Sequence, residues 1–332
     1  MQGIEGVGKK QGFDFASSLF FFPTFPTIDR YSIPNNFAQP TMRNPLNANV
    51  FLLPVTVSLV LTVQTCVSAA SGLDSLSWVS VGSGVNYARA DSALGDDIFV
   101  GLGGWTVQQE RANNWVTKLY SAKLRGLGMR HLYSVSGPKK DDYSGREIGT
   151  LELARHLLLL LKSSPASSRI VVAAHSSGSY VAHALFQDLY DGASIDSTHL
   201  TDGKIIYFCL DGGIGAGGFG VEITQAMAMR LGHIYGVFAV VPAASLYSPN
   251  HDEMVELGGK FASRSSSLLV DATGCGCSGK WCVHETLINQ KPYDRTPVGV
   301  KDAYGDINAD HPVATAYLDA ITGLTKTPPQ PH

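Results

Sequence analysis

The sequence predicts an α/β fold with a mainly parallel central sheet and helices on both faces of that sheet. Two observations favour this class. From about residue 75 onward, short apolar segments rich in β-branched residues alternate with segments of helical spacing. In addition, 44% of the 332 residues are hydrophobic and only 16% are charged, which is enough apolar surface for a sizeable core. No internal repeat or long linker divides this part of the chain, and we expect one domain at 75–325.

The elements of this domain follow one another in a regular order. Strands are predicted where apolar runs end at glycine, proline or small residues, and helices where apolar residues recur at helical spacing. The predicted strands are 97–102, 131–135, 169–174, 204–210, 233–241 and 267–270. The predicted helices are 106–127, 147–162, 177–190, 221–231 and 312–324. Residues 326–332 are rich in proline, and we expect a flexible tail there.

An uncharged stretch precedes the domain. Residues 44–73 carry no charge, and residues 50–63 are apolar but interrupted by Pro54. The apolar run is shorter than the ~20 residues that a membrane-spanning helix normally needs. Val67 and Ala69 fit the small-residue pattern of a signal-peptidase site.

Residues 42–69, read from Met42, therefore have the parts of a signal peptide, beginning with a short positive segment. We expect the protein to be secreted or to reside in the secretory pathway, with residues 1–41 as extra or disordered sequence. The alternative is an uncleaved anchor, in which residues 50–63 hold a lumenal domain at the membrane.

The segment Ile170 to Ala182 reads IVVAAHSSGSYVA and predicts a strand, a sharp turn and a helix. A nucleophile elbow needs small residues two positions before and two after the nucleophile, because the backbones crowd together there. Ala174 and Gly178 satisfy this requirement around Ser176. The turn exposes the hydroxyl and directs the helix N-terminus at a developing oxyanion. The plainer alternative is a strand-to-helix junction that is capped by a serine.

These residues resemble the elbow of α/β hydrolases, and AHSSGSYVAHAL is similar to the GHSLGAHVA type of elbow in lipases. The resemblance covers the layout of the chain after about residue 95, but only three short motifs in detail. It implies the α/β-hydrolase fold and a serine hydrolase that cleaves carboxylic esters through an acyl-enzyme on Ser176. It implies no cofactor and no metal, and its partners are small-molecule or lipid esters.

A serine nucleophile needs a base that a carboxylate orients, and the resemblance implies the chain order serine, acid, histidine. Leu210-Asp211-Gly212 is similar to the turn where pancreatic-type lipases carry their acid, so we assign Asp211. A turn aspartate before glycines is the structural alternative for this residue. Asp271, at the end of the strand 267–270, is the reserve candidate.

Two histidines compete for the role of base. His284 lies in a loop just past the last strand, in a Cys-x-His sequence similar to that of the same lipases, and we favour it. His311, beside Asp310 and before the terminal helix, remains the alternative. The oxyanion donors are expected to be the N–H of Ser177 and, from the loop after the strand 97–102, that of Gly104 or Trp105.

Cysteine usage leaves two interpretations open. We expect one disulfide and two free thiols among Cys209, Cys275, Cys277 and Cys282, with a bridge that stiffens the loop before His284. A zinc site of three cysteines and His284 is the alternative, although the spacing fits none of the usual patterns.

Two further alternatives concern function. Gly213, Gly215 and Gly218 match the glycine pattern of a nucleotide-binding Rossmann turn, but the next strand ends without the acidic residue that binds the ribose. A non-catalytic binding protein on a hydrolase scaffold is the other alternative. The formal net charge of −3 and the lack of a basic run give no support to a nucleic-acid-binding surface.

Overall fold

The structure is a computed structural model of the chain. The residues that it describes are 76–91, 94–139, 147–192, 199–215, 220–288 and 312–324. All of them belong to one compact unit, Val67–His332. The extra or disordered segment 1–41, the signal peptide 42–69 read from Met42 and the tail 326–332 are predictions that lie outside the described residues. Within the described part, no helix is both long and apolar enough to cross a membrane.

The described residues form one nine-stranded, mainly parallel sheet. The strands are β1 Val79–Gly82, β2 Val85–Arg89, β3 Asp97–Leu102, β4 Met129–Val135, β5 Ile170–His175, β6 Ile205–Leu210, β7 His233–Val241, β8 Leu246–Tyr247 and β9 Ser265–Asp271. Their order is β1-β2-β4-β3-β5-β6-β7, after which β9 and the short β8 both pair with β7. The pairs β1–β2, β2–β4 and β7–β8 are antiparallel, and all other pairs are parallel.

Helices cover both faces of this sheet. They are α1 Gln109–Leu119, α2 Thr150–Ser163, α3 Gly178–Gln187, α4 Gln225–Arg230, α5 His251–Lys260, α6 Lys280–Glu285 and α7 Pro312–Thr315. Side chains of α2 to α5 share one buried apolar cluster, and side chains of α1, α6 and α7 share the other.

The strands between the two layers are apolar on both faces. In β3, Ile98, Val100 and Leu102 join the first cluster, whereas Phe99 joins the second, because successive side chains of a strand point to opposite faces. The strands β3, β5 and β6 are buried along their whole length. The predicted fold class, an α/β fold with a mainly parallel central sheet and helices on both faces, is confirmed.

The predicted strands all lie within two residues of the observed ones. The helices differ more. The helix predicted at 106–127 begins at Gln109 and ends in a π-helical turn, and the one predicted at 312–324 is α-helical only over Pro312–Thr315 before it continues as 3₁₀ helix. In both segments the hydrogen bonding of the backbone changes on the C-terminal side while the spacing of the apolar residues continues. The sequence pattern therefore does not show where the α-helix ends.

The sequence pattern does not predict the hairpin β1–β2, the helix α5 or the helix α6. The hairpin β1–β2 is short and lies at the sheet edge, and among its strand residues only Val85 and Ala88 are buried. The helix α5 contains Gly258 and Gly259, which lower its helical propensity. His284 lies in the six-residue helix α6 rather than in a loop, which corrects the expectation for that segment.

The parallel strands place their carboxyl ends at one edge of the sheet. Ser176 follows β5 directly, and Asp211 follows β6. Because β5 and β6 are neighbours in the sheet, these two turns lie side by side.

Candidate active site

Ser176 stands at a strained turn between β5 and α3. Its φ is +54°, in the left-handed region that residues other than glycine rarely adopt. Its backbone N–H donates to the carbonyl oxygen of Leu210, 3.0 Å away. A Cβ atom on Gly178 would lie 2.6 Å from the carbonyl oxygen of Gly103, so only glycine fits at that position. The local chain therefore has the backbone geometry of a nucleophile elbow.

Asp211 lies fully buried at the neighbouring turn, also with a positive φ of +45°. Its Oδ1 accepts hydrogen bonds from the hydroxyl of Ser248 at 2.7 Å and from the N–H of Asn250 at 3.2 Å. Its Oδ2 lies 2.5 Å from Nδ1 of His284. These contacts hold the carboxylate in one orientation toward the imidazole.

His284 is almost fully buried and is oriented by that carboxylate. Because a carboxylate only accepts hydrogen bonds, Nδ1 carries the hydrogen and Nε2 keeps its lone pair. Burial lowers the pKa of His284, but the hydrogen bond and the charge of Asp211, helped by Glu285, outweigh burial and raise the pKa above its usual value. The imidazole is thus arranged to accept a proton at Nε2.

His175, the residue before Ser176, packs against this imidazole. The ring centroids of His175 and His284 are 4.4 Å apart, and Nε2 of His175 faces the carbonyl oxygen of His284 at 3.4 Å. Burial and the neighbouring His284 hold the pKa of His175 well below its usual range, despite that backbone hydrogen bond. His175 is therefore a neutral packing partner, a role that the sequence analysis missed.

A cavity of about 430 Å³ opens beside Ser176. Trp105 and Trp281 stand at its wall with 43% and 57% of their surfaces exposed, and the Trp281 ring meets the His284 ring edge-on at 5.5 Å. The other lining residues are Ser177, Tyr180, Gly213, Asn250 and Glu253, so no lysine or arginine lines this cavity among the described residues.

Glu253 is the acidic member of the lining. Its Oε2 accepts the backbone N–H of Ile214 at 3.2 Å. Burial raises the pKa of Glu253, and the nearby charge of Asp211 adds to the effect, against the opposing hydrogen bond from Ile214.

The three residues expected to provide oxyanion donors lie around the nucleophile. Trp105 and Ser177 line the same cavity as Ser176. A Cβ on Gly104 would lie 3.1 Å from the Cβ of Ser176 and 3.3 Å from Nδ1 of His175, so this loop lies directly against the elbow. The hydroxyl of Ser177 is buried and makes no hydrogen bond with another described residue, so it does not cap α3.

Asp271 and His311 are the remaining candidates for the acid and the base. Asp271 is exposed, and its Oδ1 accepts hydrogen bonds from the N–H and the hydroxyl of Thr273 at 2.8 and 2.6 Å. These bonds lower the pKa of Asp271. His311 lies outside the described residues. Of the two acids, only Asp211 contacts a histidine in the described part of the chain.

The cysteines divide into a pair and two single thiols. Cys277 and Cys282 lie at bonding distance, with Cα atoms 5.4 Å apart, just before His284 in α6. Cys209 and Cys275 are buried and free. Among the described residues, the groups that could hold a metal ion include no cysteine, and Nδ1 of His284 is already bonded to Asp211.

One glycine of the Rossmann alternative, Gly213, lines the same cavity. A Cβ on Gly213 would overlap the Tyr180 hydroxyl at 2.1 Å, and Gly215 has a φ of +82°. Gly218 lies outside the described residues. Asp211, which directly follows the strand β6 before these glycines, binds His284.

No family model and no curated protein matches this sequence. Among solved structures, an esterase from Pyrobaculum calidifontis is 12% identical, with a TM-score of 0.41 over 61% of this chain and 76% of that one. A predicted CIB-like hydrolase from Thermoplasma acidophilum is 14% identical, with a TM-score of 0.36 over 75% of this chain and 98% of that one. At such low similarity, the function of this site has to be inferred from its own residues.

Proposed function

We propose that this chain is a serine hydrolase that cleaves carboxylic esters through an acyl-enzyme on Ser176. The observation that carries the proposal is the buried 2.5 Å contact between Nδ1 of His284 and Oδ2 of Asp211. It lies at the same sheet edge as the strained turn of Ser176. A serine at a strained turn, together with a histidine that is bonded to a buried carboxylate, supplies the parts of a nucleophilic triad.

In the first half of the reaction, the Ser176 oxygen attacks the ester carbonyl carbon while its proton passes to Nε2 of His284. Asp211 stabilises the resulting imidazolium through Nδ1–H. The negative charge on the carbonyl oxygen is met by the N–H of Ser177 at the start of α3 and by that of Gly104 or Trp105. Collapse of the intermediate releases the alcohol, which takes the proton from His284.

In the second half, water replaces the alcohol. His284 accepts a proton from the water as its oxygen attacks the acyl carbon on Ser176. The same donors stabilise the second oxyanion, and the carboxylic acid leaves as Ser176 recovers its proton.

The cavity supports a preference among esters. The two tryptophan faces offer apolar contact to an acyl or alcohol group. Glu253 disfavours an anionic group next to the ester, because no lysine or arginine stands beside it among the described lining residues. Neutral esters with an apolar acyl group, small or lipid-derived, fit this wall best.

The test combines a fluorophosphonate probe with a chain-length series of p-nitrophenyl esters. We expect stoichiometric labelling of the wild type, and loss of labelling with a fall in kcat of about 10⁶-fold in Ser176→Ala. Ser163→Ala, an exposed serine at the end of α2, is the matched control and should keep full activity. Comparison of His284→Ala with His311→Ala identifies the base, and we expect the loss only in the former.

Labelling that persists in Ser176→Ala would remove the assignment of the nucleophile. A wild type that neither reacts with the probe nor cleaves any ester would instead favour a non-catalytic binding protein.

A further inference from the structure

A second carboxyl group lies beside the His284 imidazole. Glu285 follows His284 in α6, and only 5% of its surface is exposed. Its Oε2 is buried and makes no hydrogen bond with any described residue. Buried polar atoms without a partner are rare because the lost hydration is costly, so this one needs a physical explanation.

The position of this carboxyl group relates it to the site. A carboxylate oxygen of Glu285 and one ring nitrogen each of His175 and His284 lie within 4.8 Å of one another. Asp211 contacts the same imidazole through Nδ1 of His284. His284 therefore has two carboxyl groups near its ring, of which only one is hydrogen-bonded to it.

The electrostatics of the group follow from this arrangement. Burial raises the pKa of Glu285 to about 7, with the imidazole of His284 opposing the rise and the charge of Asp211 adding to it. The titratable groups that face it are His284, Asp211 and the neutral His175. A carboxyl with these neighbours changes its charge near neutral pH, where a histidine base also titrates.

The same three side chains are close enough to hold a metal ion, but two of them already make hydrogen bonds that disfavour metal binding. Nε2 of His175 faces the carbonyl oxygen of His284 at 3.4 Å, and Nδ1 of His284 is bonded to Asp211. A metal ion would have to compete with these contacts. The unpartnered oxygen is better explained by its electrostatic effect on the imidazole.

We propose that Glu285 is a positioning residue that tunes the basicity of His284, an inference that rests on the proposed function of the site. When ionised, Glu285 stabilises the imidazolium that forms as His284 takes the proton of Ser176. The proton of Glu285 itself is exchanged with solvent and takes no part in the transfer from Ser176 to the leaving alcohol. Asp211 orients the ring and makes the larger contribution to its affinity for a proton, and Glu285 adds to that contribution.

The decisive measurement is the pH profile of kcat/KM for ester hydrolysis in the wild type and in Glu285→Gln. Glutamine keeps the shape of the side chain but cannot ionise. Loss of a negative charge near the ring lowers the pKa of His284, so the acid limb of the profile should move to lower pH by about one unit. Glu256→Gln, which removes an exposed carboxylate from α5, should leave the limb in place. An acid limb that is the same in Glu285→Gln and the wild type would overturn the inference.

A second measurement does not depend on catalysis. The imidazole of His284 is titrated by NMR in the Ser176→Ala protein, with Glu285 present and with Glu285→Gln added. With Glu285 present, the His284 signal should titrate in two steps, because its neighbour ionises in the same pH range. A single step in this protein contradicts the inference even if the Glu285→Gln variant does not fold.

The two measurements also separate the two proposals. Coupled imidazole titration in a protein without esterase activity would leave the inference standing and remove the proposed function. An active esterase with an unshifted acid limb would do the reverse.

Discussion

Two buried ion-pair sites lie at opposite ends of the parallel strands. At the amino ends, Asp97 in β3 accepts hydrogen bonds from the backbone N–H, Nε and Nη2 of Arg169 at 3.0, 3.1 and 2.9 Å. Nη1 of Arg169 reaches the carbonyl oxygen of Ile321 at 3.4 Å. At the carboxyl ends, Asp211 binds His284 at 2.5 Å. Both carboxylates are buried, with 2% and 0% of their surfaces exposed.

The difference between the sites lies in what surrounds each pair. Neither Asp97 nor Arg169 has a positive φ. Their pair connects β3 to the start of β5 and to the C-terminal segment. At the other pair, Asp211 itself has a positive φ, as does Ser176 at the neighbouring turn, and a cavity and a buried carboxyl oxygen without a hydrogen-bond partner among the described residues lie close by. The same kind of interaction stabilises the fold at one end and is surrounded by strain and unmet polar groups at the other, where function is expected.

The largest expected effect comes from changing the pair at the carboxyl end. In Asp211→Asn the amide no longer holds the hydrogen on Nδ1 of His284, so we expect kcat to fall about 10⁴-fold with the fold retained. Steady-state ester hydrolysis measures the loss. Asp271→Asn, which changes the exposed reserve candidate, should keep nearly full activity; a large loss there would exchange the two assignments.

The next effect concerns stability at the amino end. Asp97→Asn leaves the Arg169 guanidinium buried without a balancing charge, so the free energy of unfolding should fall by about 3–5 kcal/mol. The kcat of the folded fraction should stay close to that of the wild type. Urea denaturation gives the first quantity and ester hydrolysis the second.

The neighbouring residue provides a matched control for that experiment. Asp96 pairs with Arg130, and both side chains are partly exposed, at 34% and 27%. Asp96→Asn should therefore cost less than about 1 kcal/mol. If Asp97→Asn lowered activity as strongly as Asp211→Asn, the contrast between the two ends would be lost.

The smallest effect tests how closely the loop after β3 must pack on the elbow. In Gly104→Ala the new methyl group would meet Ser176 and His175 at 3.1 and 3.3 Å, so the loop has to shift away from the nucleophile. A misplacement of about 1 Å near the reacting atoms costs about 10²-fold in rate, and we expect a kcat loss of that size. Gly259→Ala, at a helical position with open space around it, should leave kcat unchanged.

Much of the fold could be predicted from the sequence, because buried segments show a local pattern of apolar and small residues. The strands around β3, β5 and β6 are apolar on both faces, and the elbow at Ser176 is marked by Ala174 and Gly178. The hairpin β1–β2 and the helix α5 are missed because half-exposed edge strands and glycine-containing helices carry weak periodicity.

The other side chains of the site could be predicted only in part from the sequence. Sequence reasoning left Asp211 and Asp271 open as acids, and it could not see that His175 and Glu285 approach His284. A polar residue next to the assigned base was the available signal for Glu285, but neighbours in sequence give no sign of where a side chain points. These relations become visible only when the chain is folded.

The sequence by itself thus determined the class of sheet and the turn that carries Ser176, since both depend on the apolar pattern and small residues of a short segment. Only the tertiary structure decided that Asp211 meets His284, 73 residues further along the chain. That contact depends on β6 lying between β5 and β7 and on α6 packing back over the sheet edge. The order of strands in a sheet follows from the packing of the whole domain, and no local pattern encodes it.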